Sequence, residues 1–456
     1  DSMGKKEKTT KLISVMVSAT LATGMVPAAA FAQQAVNATG QGGSASSDQS
    51  IESVDPTATE IAKATEAEAQ QAAPTSSAQL LEAETPANPA MSGDCGATES
   101  DHVTWTLAQN NADDGNPTYT LAISGTGAMT DWLEHRASGN NSCGTDASTS
   151  PDACTNPKCA LNRPWAAYLD KITQVKLGEG ITRLGSESLT NIANVDSVVL
   201  PESLEAVGFG SMAGMASLLS IEIPDAVKAI ETSAFYGDSS LATINFSESG
   251  NLEEIGGYAF SHAALSGKLS LPEGLKKIGL APFERCNSVT EFVIPSTVES
   301  YALSNGGNNN FFNGANGSLR KVIIKSSADL PGYMFQGQGA LEEVEIDGDV
   351  TSIGVGAFNG CKKLSSVSGT GSVKSIGNQA FRYDSGLTGI DLSGAESIGD
   401  WSFSESGLAG VDAPNAKTIG RGAFQKCPNL ASLALGGLRA SRAGSSPATT
   451  VFRPSI

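Results

Sequence analysis

Residues 350–364 read VTSIGVGAFNGCKKL, and this stretch decides the fold. Its recurring apolar residues are Val350, Ile353, Ala357, Phe358, Cys361 and Leu364, with Gly354 between them. The stretch recurs along the chain. Leu252, Ile255, Gly256, Ala259 and Phe260 repeat it, and so do Val373, Ile376, Gly377, Ala380 and Phe381. Working outward from Phe358, a large apolar residue returns about every 23 positions. The series is Leu189, Met212, Phe235, Phe260, Phe283, Phe312, Phe335, Phe358, Phe381, Phe403 and Phe424. A fixed period of this length means stacked small units, each burying its apolar set only against its neighbours. Such stacks work mainly as surfaces that grip other molecules.

Each unit also carries a short Leu/Val/Ile run, such as Leu241-x-x-Ile244-x-Phe246 and Leu341-x-x-Val344-x-Ile346. These runs supply strands. Pro201, Pro224, Pro272 and Pro295 follow four of the runs and end them, because proline lacks a donor N–H. The recurrent glycine fits a turn that needs positive φ or close backbone approach. The expected fold is therefore a repeat solenoid, mainly β with short turns, over residues 169–435.

Residues 93–168 are expected to form a small β-rich cap, since a stack exposes the core of its first unit. Trp105 and Leu107, then Tyr119, Leu121 and Ile123, alternate with polar neighbours, and the turn formers of residues 110–117 between them predict a hairpin. Upstream, Lys5, Lys6, Lys8 and Lys11 precede an apolar run from Leu12 to Val26 and the sequence Ala30-Phe31-Ala32. That is the pattern of a secretory signal over residues 1–32 with Met3 as the natural start, so no membrane insertion is expected once it is cleaved. Residues 33–92 have no aromatic residue, are rich in Ala, Ser, Thr, Gln, Glu and Pro, and read as a disordered linker.

The chain has 456 residues and a net charge of −19. That charge argues against nucleic acid, whose phosphates demand Lys/Arg patches. It argues equally against electrostatic docking on anionic lipid. An exported chain meets an oxidising environment, so Cys95, Cys143, Cys154 and Cys159 in the cap are disulfide candidates. Zinc is the rival for these four, but their spacing is irregular. The remaining three cysteines, Cys286, Cys361 and Cys427, each lie three residues after a repeat Phe and three repeats apart. At about 4.8 Å per stacked strand they sit roughly 14 Å from one another. That is too far for a disulfide, so they are expected to be free and buried.

No catalytic, cofactor or metal site is expected. His102, His135 and His262 are the only histidines and have no evident nucleophile. Gly125-Thr126-Gly127 lacks the Gly-Lys-Ser/Thr of a phosphate loop and reads as a turn. Candidate contact residues off the repeat pattern are Tyr236, Tyr258, Tyr301, Tyr333, Tyr383 and Trp401, with packing between turns as the simpler reading. An insertion at residues 304–318 in the sixth repeat is the candidate binding loop, with Asn308, Asn309, Asn310 and Phe311 as its contact residues. After Leu435 the pattern stops, and residues 436–456 read as a truncated or frameshifted tail.

The phrase I-G-x-x-A-F-x-x-C-x-x-L, met in full by Ile353, Gly354, Ala357, Phe358, Cys361 and Leu364, resembles the BspA-type leucine-rich repeat family of bacterial surface proteins. Cys95-Gly96, Trp105-Thr106-Leu107, residues 121–129 and Pro164-Trp165 resemble the segment that precedes such repeats. The resemblance implies a secreted or cell-surface protein that binds a protein or glycan, with adhesion to host matrix or mucosal proteins as the usual proposal. The alternatives are an envelope spacer and a targeting module of a larger enzyme.

Overall fold

The structure, a computed structural model, describes residues 91–111, 115–132, 163–247, 249–303, 309–314 and 317–436. All of these lie within one compact unit, Glu84–Ile456. The expected signal, the expected linker up to residue 90 and the expected tail from residue 437, with Cys143, Cys154, Cys159, His135 and Asn308, fall outside the described residues; Met91 and Ser92, expected in the disordered linker, are instead strand paired with Leu107 and Thr106.

The described chain is a solenoid of parallel strands behind an antiparallel start. Strands β1 (Met91–Asp94), β2 (His102–Gln109) and β3 (Tyr119–Ala128) pair antiparallel, so the expected hairpin is present. Strand β3 then splits. Its first half pairs parallel with β4 (Ile172–Leu177), and its last two residues pair parallel with β5 (Ile181–Leu184). β3 thus acts as a zeroth repeat that starts two sheets at once. Gly125 and Gly127 sit at this split with φ of 120° and 107°. A Cβ on Gly125 would lie 1.9 Å from the His102 carbonyl oxygen. The Gly-Thr-Gly stretch is therefore a bend inside a strand, where the sequence suggested a turn.

Each later repeat contributes up to two strands and a turn layer. The longer strand, as in Lys321–Ile324 beside Glu343–Ile346, alternates buried and part-exposed residues. The shorter, as in Ser352–Ile353 beside Ser375–Ile376, is a two-residue rung. Between the short strand of one unit and the long strand of the next lies the Phe-bearing turn.

The repeat residues are the spine of the core. Leu189, Met212 and Phe235 are fully buried, and Phe424, at the far end, is 8% exposed. The rings stack almost parallel: Phe235–Phe260 at 5.2 Å and 4°, Phe260–Phe283 at 5.8 Å and 6°, Phe381–Phe403 at 5.3 Å and 4°. Phe312 continues the stack on Phe283 at 5.8 Å, but no stacked contact joins it to Phe335. There Phe292 and Phe311 fill the gap edge-on, at 6.4 and 6.1 Å from Phe335.

The recurrent glycines do not need positive φ. They allow close approach: a Cβ on Gly354 would lie 2.4 Å from the Gly332 nitrogen. The left-handed residues are elsewhere. Counting the repeat Phe as position 0, positions −2 and +2 are left-handed, for example Tyr333 and Gly337, Gln379 and Tyr383, Trp401 and Glu405. A non-glycine residue costs roughly 1–2 kcal/mol in that conformation. The repeating hydrogen bonds of the turn layer offset this.

Candidate binding surface

The turn layer is a ladder with three rungs per interface. The backbone N–H groups at positions −2, 0 and +2 donate to the carbonyls at −3, −1 and +1 of the following repeat. Between the seventh and eighth repeats these are Tyr333 to Val355, Phe335 to Ala357 and Gly337 to Asn359, each at 2.8 Å. Between the ninth and tenth they are Gln379 to Asp400, Phe381 to Ser402 and Tyr383 to Ser404, at 2.7–3.0 Å.

Two places lack the donor repeat, and side chains stand in for it. At the start of the stack, the backbone N–H of Trp132 donates to Ser186 O at 3.2 Å. The Trp165 Nε1 donates to Ser188 O at 3.1 Å, and Arg163 Nη1 donates to Glu187 O and Thr190 O at 2.7 and 2.8 Å. Those carbonyls include positions −3, −1 and +1 of the first repeat. Burial pulls the Arg163 guanidinium down to about 10, with Glu187 opposing, so it remains a cation at neutral pH.

The second place is the insertion. Asn309 Nδ2 donates to Gly332 O at 3.1 Å, Phe311 N to Met334 O at 2.9 Å, and Asn310 Nδ2 to Gln336 O at 2.6 Å. These again are positions −3, −1 and +1. The sequence placed Asn309, Asn310 and Phe311 in a candidate binding loop. The structure corrects this: they are 6%, 6% and 1% exposed and are built into the core. The polar side chains turn inward because the ladder's carbonyls would otherwise be buried without donors.

The cysteines of the repeats are free thiols, as their spacing required. Each donates to the repeat-residue carbonyl of the preceding unit: Cys286 to Phe260 O at 3.2 Å, Cys361 to Phe335 O at 3.3 Å, Cys427 to Phe403 O at 3.1 Å. Burial pushes the Cys286 thiol up to about 12. Cys95, a disulfide candidate in the sequence, is instead a free, buried thiol, also pushed up to about 12 by burial, with Asp94 adding to the effect.

On the strand face several charges are paired between repeats: Lys268 with Glu291 at 2.9 Å, and Lys321 with Glu343 and Glu345 at 3.2 Å each. Along one edge Glu205, Lys228, Glu253 and Lys276 alternate in sign in consecutive repeats. Sequence reading missed this alternation, although its signal, opposite charges about 23 residues apart, was visible.

The turn face is different. Of the six off-pattern aromatics, Tyr301 is buried beside Phe311 at 5.9 Å, and the other five lie in the turn layer, part-buried except for Tyr383. Tyr236 packs on His262 at 5.1 Å. Tyr333 and Trp401 lie over glycines of the next repeat, where a Cβ on Gly356 or Gly422 would meet their rings at 2.8 and 2.7 Å. Packing between turns thus accounts for one side of each ring. The Arg421 guanidinium lies 4.3 Å over the Trp401 ring, and that of Arg382 lies 4.4 Å over Tyr383. Tyr383 itself is 39% exposed. Neither arginine has an ion-pair partner among the described residues, whereas Arg183 and Arg320 do.

One Ser/His/Glu grouping also lies here. Ser261 Oγ is 2.9 Å from His262 Nδ1 and 3.4 Å from Glu284 Oε2. Both the imidazole and the carboxylate meet the hydroxyl, and Ser261 is fully buried. A hydroxyl enclosed in this way is out of a substrate's reach. Among the described residues no group of His, Cys, Asp and Glu could hold a metal, and no helix is long and apolar enough to cross a membrane.

The described solenoid bears likeness to several solved structures. A leucine-rich repeat protein from Bacteroides ovatus is 20% identical, with 72% of this chain and 92% of that chain covered and a TM-score of 0.44. A leucine-rich cell surface protein from Faecalibacterium prausnitzii is 17% identical, with 77% and 96% covered and a TM-score of 0.32. Among curated proteins nothing matches. The family model for BspA type leucine rich repeat regions matches residues 166–290, 213–335 and 305–431, together more than half of the chain, and the chain therefore belongs to that family of repeat proteins.

Proposed function

We propose that this chain is an exported, non-enzymatic protein that recognises another macromolecule, a protein or a glycan, through the turn face of its stack. The observation that carries this is the recurrence of Tyr236, Tyr258, Tyr333, Tyr383 and Trp401 along the turn layer, with the Arg382 and Arg421 guanidinium groups over two of the rings. Trp, Tyr and Arg are the residue types that dominate interface energetics. Held rigidly by the ladder, they lose little entropy on binding. Paired charges on the strand face make that side a poor competitor.

Export rests on the signal-like N-terminus, and surface location agrees with the family. Adhesion to host matrix or mucosal proteins is the corresponding expectation for the partner. The test is a pull-down of a panel of matrix proteins, mucins and their deglycosylated forms with the whole protein. Saturable capture at micromolar concentration is expected. Its absence across the panel would favour the role of an envelope spacer, which needs length and stiffness but no partner.

A further inference from the structure

The core slot three residues after the repeat Phe holds a donor in four repeats. Cys286, Cys361 and Cys427 donate to the carbonyl of the preceding repeat's Phe, and Gln338 Nε2 does the same to Phe312 O at 3.3 Å. Asp238 and Asp384 occupy this same slot in the third and ninth repeats, and both are 0% exposed. One oxygen of each has a clear task. Asp238 Oδ1 accepts Met215 N at 2.8 Å, and Asp384 Oδ1 accepts Cys361 N at 2.8 Å. The other oxygen, Oδ2, is buried and has no donor.

A carboxylate is therefore the wrong chemical form for the slot. It would leave a buried lone-pair oxygen without a donor, and it would bury a charge with nothing opposite. Met215 and Ala263 hold the slot on either side of Asp238, and neither ionises. Cys361 and Ser406 hold it on either side of Asp384, and the Cys361 thiol is itself kept neutral by burial. No cation contributes to the environment of either carboxyl, which burial pushes well above the ordinary range while backbone N–H groups oppose.

We infer that Asp238 and Asp384 are held in the folded stack as neutral carboxylic acids, whose Oδ2–H donates to the preceding repeat's carbonyl, Met212 O or Phe358 O, as Cys and Gln do elsewhere. Each is a latch made of one proton. Oδ1 accepts from the preceding unit and Oδ2–H donates back to it, so a single side chain ties two repeats in both directions. A raised carboxyl reverses the usual acid sensitivity of proteins. The latch is fully present below the unfolded Asp value of about 3.9 and is lost as pH rises through the folded value. In that window each retained proton changes the unfolding constant by up to about tenfold per pH unit.

The test has two arms. In the whole protein with 13C-labelled Asp carboxyls, two resonances at the protonated position are expected at pH 7, one lost in Asp238→Asn and the other in Asp384→Asn. In urea unfolding between pH 5 and pH 9, the wild type should weaken as pH rises. The Asp238→Asn/Asp384→Asn double variant should show a flatter profile, since asparagine keeps the acceptor and supplies a permanent donor. Asp412→Asn, on an exposed side chain, should leave the slope unchanged. All aspartates ionised at pH 7 in the wild type would overturn the inference whether or not the variants fold. An unchanged pH slope in a folded double variant would do so as well.

Discussion

Phe358 is the most informative residue to perturb. It is fully buried in the eighth repeat and stacked on both sides, 5.6 Å from Phe335 and 5.3 Å from Phe381. Phe358→Ala removes a ring and leaves a cavity, a change that costs about 3–5 kcal/mol. The two ring pairs account for about 0.5–1.5 kcal/mol each within that figure. Phe358→Leu keeps most of the volume and loses chiefly the ring pairs, so about 1–3 kcal/mol is expected. Phe424→Ala is the internal control. Phe424 has one stacked partner, Phe403 at 5.6 Å, and is partly open, so about half the mid-stack loss is expected. Urea unfolding gives the three values. Hydrogen exchange then locates the damage. Because each unit touches only its neighbours, protection should fall at the Phe335 and Phe358 amides and hold at Phe235. A Phe358→Ala cost no larger than that of Phe424→Ala, or exchange raised evenly along the chain, would refute a spine built from nearest-neighbour contacts.

Other outcomes follow from the same geometry. Arg163→Met removes the cation that meets the first repeat's carbonyls and should cost about 1–3 kcal/mol by thermal unfolding, with the lowest exchange protection next to the cap. Asn310→Leu removes a donor to Gln336 O and should destabilise the sixth–seventh repeat interface by a similar roughly 1–3 kcal/mol, although the position lies in an insertion. Gln379→Gly relieves a left-handed residue and should stabilise by up to about 1 kcal/mol in the same assay. Native protein treated with a thiol reagent at pH 8 should leave Cys286, Cys361 and Cys427 unlabelled by mass spectrometry, because all three sulfurs are buried away from the reagent.

Much of the fold was legible because its period was. The 23-residue return of Phe placed the core spine and identified the slot of Cys286, Cys361 and Cys427. What stayed hidden were interactions whose partners lie one repeat away and involve the backbone. Nothing in the string Asn309-Asn310-Phe311 says that two side-chain amides replace missing backbone donors, and so a polar stretch was read as solvent-facing. Arg163 was hidden for the same reason. Its carbonyl partners are defined only when the first turn is seen to lack a predecessor. The left-handed rows at −2 and +2 were obscured because glycine fills them in only some repeats, while Tyr258, Tyr333 and Trp401 fill others. The same three residues, with Tyr236 and Tyr383, were singled out in the sequence, and the stack places all five in the turn layer.

Whether the turn face or the strand face meets the partner is decided by comparing binding isotherms of the wild type, a turn-face variant and a strand-face variant for one captured partner. With Trp401→Ala/Arg421→Ala, affinity should fall roughly thirtyfold or more, the equivalent of about 2 kcal/mol for a hot-spot anchor. With Lys268→Ala/Lys321→Ala it should hold within about threefold, since those charges are already satisfied within the stack. The reverse order of effects, with the turn-face variant folded and binding at full strength, would contradict the account.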